Sequence, residues 1–156
     1  MFFFPVEILI WVMNMYSSKK LLTSILRTTQ MGQIGIRSVL DKTTNPALRR
    51  ALESQLTEYD TIESEAHILA AERGWELQEL DPGVRAIMDM MTRIRVPKRE
   101  PDSRIADLMI LGNTKGMVKS LKNLHRFDYE DARISTISQK LLDCETANIR
   151  QMKGFL

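Results

Sequence analysis

The chain has 156 residues, with 22 Lys+Arg against 20 Asp+Glu, two His, one Cys, seven Gly and five Pro. That length suits one compact domain with a real core, and so little Gly and Pro excludes a fibrous or disordered chain. One cysteine excludes an internal disulfide framework and a thiolate zinc cage, and the near balance of charge gives no reason to expect nucleic acid or an acidic surface as partner.

The aromatic residues are unevenly placed. Phe2, Phe3, Phe4, Trp11 and Tyr16 all fall in the first 16 residues, half of the ten in the chain. Residues 1–16 form an apolar leader with one charge, Glu7. A membrane span needs roughly 20 apolar residues, and this run is shorter. A secretory signal starts with positive charge and ends at a small-residue cleavage site; here Lys19 and Lys20 follow the apolar run, and no Ala-x-Ala does. Three readings stay open for the leader. Translation could start later, at Met13 or Met15. The segment could pack on the domain or on a second copy. It could anchor the chain at a membrane surface. A membrane is expected as partner only through residues 1–16, and the location expected for the rest is cytoplasmic.

Ser17 and Ser18 are expected to cap a first helix beginning near Lys19. Leu22, Ile25, Leu26, Thr29, Gln33, Ile36, Val39 and Leu40 follow a spacing of three and four, which is one helical stripe. Asn45 before Pro46 reads as the N-cap and first residue of a second helix, running to Arg73 with Gly74 as its stop. Its stripe is Leu48, Leu52, Gln55, Leu56, Tyr59, Ile62, Ala66 and Leu69. Asp81-Pro82 opens a short helix with Val84, Ile87, Met88, Met91 and Ile94 on one side, and the Pro97–Pro101 segment breaks it. Asp102 or Ser103 is expected to cap a third long helix carrying Ile105, Leu108, Met109, Gly112, Gly116, Leu121 and Leu124. Asp128 is expected to cap a fourth, with Ile134, Ile137, Leu141, Cys144, Ile149 and Met152.

Four long amphipathic helices make an all-α bundle over residues 17–156. The turns inside each helical pair are short, so each pair is antiparallel. A bundle helix of about 25 residues is roughly 38 Å long. The segment between Gly74 and Asp102 can span that length, with its short helix and extended flanks. One long crossover between two helical hairpins is the ferritin-like arrangement. A thin internal repeat agrees with it. Thr28-Thr29-Gln30-Met31-Gly32 and Gly112-Asn113-Thr114-Lys115-Gly116 fall at equivalent places in the two hairpins, and Gln55 matches Gln139 at the same offset.

The run Ile105 to Met117 (IADLMILGNTKGM) resembles the third-helix signature of uncharacterised bacterial ferritin-like four-helix proteins. Gln30-Met31-Gly32 resembles the Met-Gly step of that family's first helix, and Gln139 to Ile149 with the ending Lys153-Gly154-Phe155-Leu156 resembles its final helix. Lys115 departs from the family pattern, which has Met there. The resemblance covers about residues 20–156. It implies a ferritin-like fold and no established activity.

A di-iron site needs a Glu from each of two helices and a Glu-x-x-His from each of the others. The first helix has no carboxylate between Lys19 and Leu40, and the third offers Gly112 and Gly116 where ligands would sit. In the second, Glu63 and His67 share a face but flank the core stripe. In the fourth, Glu145 is followed by Asn148 rather than His. No metal or other cofactor is therefore expected; an atypical metal site would have to use Glu63, His67 and Glu145. No nucleophile, phosphate loop or other catalytic set is recognisable, and Cys144 reads as a buried, inert thiol. Gly32, Gly35, Gly112 and Gly116 each cost about 1 kcal/mol against Ala in an exposed helix. They point to close contact between the first and third helices, or to a mid-bundle cavity lined by Gln30, Gln33, Tyr59 and Asn113.

Charge is split along the chain: residues 53–81 carry nine acids and one Arg, and residues 85–126 carry ten bases and four acids. Pairing of these two regions with each other is expected. The other reading, nucleic acid or anionic lipid held by Arg93, Arg95, Lys98, Arg99 and Arg104, lacks interleaved aromatics. Met88, Met90 and Met91 on the short helix suit a lid over the bundle or a dimer patch. The function expected is a non-catalytic binding or assembly module, working as a homodimer. The alternatives are the atypical metal-binding protein and the membrane-surface protein.

Overall fold

The computed structural model describes residues 5–126 and 131–156. Among them every regular element is helical: α1 (Val6–Val39), α2 (Pro46–Arg73), α3 (Pro82–Ile94), α4 (Pro101–Arg126) and α5 (Ala132–Met152). Single 3₁₀ turns follow α1 at Leu40–Lys42 and α5 at Lys153–Phe155.

Four helix ends are set by the residues that local chemistry demands. Asn45 Oδ1 accepts from the Ala47 N–H at 2.8 Å, with Pro46 in the first turn. Gly74, at φ 69°, takes the left-handed conformation that closes α2. Asp81 caps α3 through the Gly83 N–H at 2.7 Å, and Asp131 caps α5 through the Arg133 N–H at 3.0 Å. Asp128, the cap expected from sequence, lies outside the described residues.

Two caps differ from expectation. Ser17 and Ser18 lie inside α1, because the apolar leader continues the helix back to Val6 with Pro5 at its start. Asp102 sits in the first turn of α4 and serves a tertiary purpose. Its carboxylate accepts from the Thr44 N–H at 2.8 Å, from the Asn45 N–H at 3.0 Å and from the Thr44 hydroxyl.

That bond set ties the start of α4 to the start of α2, so the crossover returns the chain to the end where α2 began. Arg133 and Asp131 at the start of α5 meet Glu72 and Arg73 at the end of α2. Asn123 near the end of α4 donates to Ser24 on α1 at 2.8 Å. α1 and α5 therefore run opposite to α2 and α4. α1 packs on α2 and α4 packs on α5; α2 against α5 and α1 against α4 close the ring, and α3 lies on α1.

The core is aliphatic: Leu22, Leu26, Leu48, Leu52, Ile105 and Leu141 are all but sealed. Burying each contributes roughly 1.5–3 kcal/mol. α1 enters this core only from Leu21; Val6 to Tyr16 expose apolar side chains all round the helix, Trp11 among them. No helix among the described residues is long and apolar enough to cross a membrane. The expected stripes hold on α1 and α2 but loosen elsewhere. Leu121 is exposed and Ser120 buried on α4, and on α5 Glu145 and Asn148 are buried while Ile149 is half-covered. α3 buries no residue fully, and Val84, Ile87, Met91 and Ile94 on its apolar side stay exposed.

Candidate ligand-binding site

Glycines on α1 and α4 make room for two large side chains from the helices beside them. A Cβ on Gly32 would stand 2.5 Å from Cζ of Tyr59, a separation real Cβ atoms do not adopt. A Cβ on Gly116 would stand 2.5 Å from the carboxyl carbon of Glu145. Each hairpin thus lays one polar-tipped side chain of its second helix over a glycine of its first. This corrects the expectation of close backbone contact between the glycine-bearing helices: these two glycines admit side chains. Gly112 differs, because a Cβ there would meet nothing within 4 Å.

The open space beside Gly112 belongs to a cleft of about 430 Å³ between α1, α3 and α4. Its apolar walls come from Met31 on α1, Met88 and Met91 on α3, and Leu108 and Met109 on α4, and Tyr59, Asn113 and the buried Glu145 also line it. Methionine walls adapt in shape to what they enclose. Arg95, Lys115 and Lys119 line the same cleft and are solvent-exposed. None of the three forms an ion pair among the described residues.

Behind the walls runs a closed hydrogen-bond chain. The Tyr59 hydroxyl donates to Asn113 Oδ1 at 2.8 Å, and Asn113 Nδ2 donates to the Met109 carbonyl at 2.8 Å. Asn148 Nδ2 reaches Asn113 Oδ1 at 3.3 Å and the Tyr59 oxygen at 3.5 Å. Burial, reinforced by the nearby Glu145, holds the Tyr59 hydroxyl well above its ordinary pKa, so it stays protonated and can donate. Burial first, then the neighbouring Glu58 carboxylate, pushes the Cys144 thiol up to about 12. A thiol so placed is no nucleophile near neutral pH.

Glu145 stands outside that chain. It is 2% exposed, and its Oε2 has no hydrogen-bond partner among the described residues. Burial pushes its pKa up to about 8, so near neutral pH the carboxyl is mostly protonated. A buried polar atom without a partner costs about 1–3 kcal/mol. Natural proteins carry few of these, and each calls for a reason.

The remaining sequence candidates divide between two places. Tyr59 and Asn113 border the cleft. Gln30 and Gln33 do not line this cleft. Gln30 donates to Glu63 at 3.1 Å and to Glu79 at 3.3 Å, and its Oε1 accepts from the Leu80 N–H at 3.1 Å. Gln33 donates to Asp60 at 2.7 Å and to Glu63 at 3.4 Å. They fasten α1 to α2 and to the start of the crossover. His67 pairs with Glu79 at 3.2 Å, on the same side as Glu63. No group of three His, Cys, Asp or Glu able to hold a metal ion is formed among the described residues, so Glu63, His67 and Glu145 do not assemble into one site. The acids of α2 pair with bases of α1 and α5, as in Arg37–Asp60, Lys140–Glu65 and Arg133–Glu72, and not with the basic crossover and α4. The Glu145 cleft escaped sequence reasoning because the α5 stripe passes through Cys144 and makes its neighbour look peripheral. The signal available was Gly116, whose missing side chain leaves the space that Glu145 fills.

The chain matches no family model, no curated protein and no solved structure.

Proposed function

We propose that this chain is a non-catalytic, ferritin-like binding protein, and that the cleft between α1, α3 and α4 receives a small ligand against Glu145. The observation that carries this reading is a buried carboxyl with an unpartnered oxygen in the lining of a mostly apolar cleft. Mostly apolar concavities with a few placed polar groups are the ordinary form of ligand sites. The ferritin-like part of the reading rests on the course of the chain, two antiparallel hairpins joined by one long helical crossover. The non-catalytic part is supported by the Cys144 thiol, which burial keeps protonated near neutral pH.

The test uses 1-anilinonaphthalene-8-sulfonate, an apolar dye with one anionic group. Saturable, one-to-one fluorescence enhancement is expected for the unmodified chain. Gly112→Trp, which puts an indole into the open space of the cleft, is expected to abolish that component with no loss of melting temperature. Dye binding unchanged in Gly112→Trp would overturn the reading, as would a lack of any saturable component.

A second reading concerns assembly into a homodimer. Val84, Ile87, Met91 and Ile94 repeat at three and four along α3 and remain exposed, and contiguous apolar patches of this kind mark interfaces. Ile87→Ser with Ile94→Ser is expected to convert a dimer to a monomer in light scattering while leaving the helical circular dichroism intact. A dimer that survives both changes contradicts the homodimer reading.

A further inference from the structure

The exposed and the buried lining of the cleft differ in charge, and the difference specifies a class of ligand. The exposed lining holds three cations, Arg95 from the end of α3 and Lys115 and Lys119 one turn apart on α4. Asp89 on α3 and Asp41 in the turn after α1 are both engaged by Arg93. Arg95, Lys115 and Lys119 are left without a counter-charge among the described residues. Positive charges lining a low-dielectric cleft raise the local concentration of anions. Met31, Met88, Met91 and Leu108 give the same lining its apolar character.

In the buried lining, the Glu145 carboxyl is sealed against Gly116 and has one oxygen without a partner. A permanent cation is not called for there, because burial keeps this carboxyl mostly neutral near pH 7. A neutral carboxylic acid offers one O–H donor and retains acceptor capacity. It is matched by a hydroxyl or carbonyl oxygen, and an anion there would be repelled once the group ionised.

Resting on the cleft reading above, we infer that the ligand is a small amphipathic anion, with its anionic head at Arg95, Lys115 and Lys119, an apolar body along the methionine walls, and a neutral hydrogen-bonding oxygen at Glu145. A medium-chain carboxylate bearing a hydroxyl at its far end satisfies all three parts. The head could equally be a carboxylate or a phosphate, since both answer to the same bases.

Calorimetric titration of the full chain with octanoate, 8-hydroxyoctanoate, 1-octanol and octylammonium tests each part separately. Octanoate is expected to bind about tenfold tighter than 1-octanol, octylammonium weakest of all, and the octanoate preference to shrink as salt rises. The double reversal Lys115→Glu, Lys119→Glu is expected to remove that preference while 1-octanol binding is kept. One added hydrogen bond, at about 1 kcal/mol, makes 8-hydroxyoctanoate about fivefold tighter than octanoate. That gain is expected to vanish in Glu145→Leu. Octyl phosphate in place of octanoate separates the two kinds of head. If octylammonium or 1-octanol binds as tightly as octanoate while Gly112→Trp blocks them all, the anionic-ligand inference fails and the cleft reading stands. If no compound binds, or Gly112→Trp blocks none, the cleft reading fails with it.

Discussion

Glu145→Gln is expected to stabilise the protein by several kcal/mol at pH 8 and to change it little at pH 4. In the unfolded chain Glu145 ionises near its ordinary value of 4.5, while in the fold burial raises that value to about 8. Below 4.5 both states hold the proton and the group contributes nothing to the pH dependence. As pH rises from 4.5 to about 8, the unfolded chain releases a proton that the fold retains, so stability falls. Above about 8 both states are ionised and the loss is complete. Integrated over that window, the loss is on the order of 5 kcal/mol. The surrounding groups do not mask it. Tyr59 on α2 and Cys144 on α5, both raised by burial, titrate above the window. Urea unfolding at pH 4, 6 and 8 checks the prediction: the slope against pH is expected to flatten in the variant. Equal slopes in the two proteins would contradict the burial of an unpartnered carboxyl.

The second large effect separates glycines that look alike in sequence. Gly32→Ala is expected to destabilise by about 2 kcal/mol net, the overpacking exceeding the helix-propensity gain. Its Cβ would strike the Tyr59 ring, which is buried and anchored to Asn113, so the ring has little freedom to give way. Gly116→Ala is expected to destabilise similarly by displacing Glu145. Gly112→Ala, whose Cβ meets open space, is expected to stabilise by about 1 kcal/mol through helix propensity alone. Thermal unfolding of the three variants decides the matter. The double variant Gly32→Ala, Tyr59→Leu is expected to lose less than the sum of its single changes, since removing the ring removes the clash. Strict additivity would contradict the contact.

These effects mark where sequence reasoning reaches and where it stops. Helix ends set by local chemistry were legible: Asn45 before Pro46, Asp81 before Pro82, and Gly74 in the left-handed region all act as their residue types require. Ser17 was misleading because nothing between Tyr16 and Lys19 breaks a helix, and a serine caps only where the chain stops being helical. The stripes on α1 and α2 were legible because aliphatic residues repeat there without interruption. Gln30 and Gln33 are buried but do not line the cleft, because periodicity gives a face and not the neighbour beyond it. The acids that satisfy them come from α2 and from Glu79 on the crossover. For the same reason the acids of α2 could not be assigned to α1 and α5 in advance. The four glycines announced that something approaches closely; that Tyr59 and Glu145 are what approaches Gly32 and Gly116 is a tertiary fact.

Exposed apolar surface on α3 has a related cause. Pro82 and the Pro97–Pro101 segment confine that helix to 13 residues, too short to wrap the bundle. It rests on α1 and contributes Met88 and Met91 to the cleft wall, leaving its other apolar side chains uncovered.

The protonation of Glu145 tests the cleft assignment most directly. Its side-chain carboxyl carbon can be followed by NMR from pH 4 to pH 10, with the Glu145→Gln variant assigning the resonance, in the free protein and with the naphthalene sulfonate dye at saturation. A midpoint near 8 in the free protein, and a resonance displaced by the dye, is the predicted result. A midpoint near 4.5, or a Glu145 resonance that the saturating dye leaves untouched, would contradict the assignment of this cleft as the binding site.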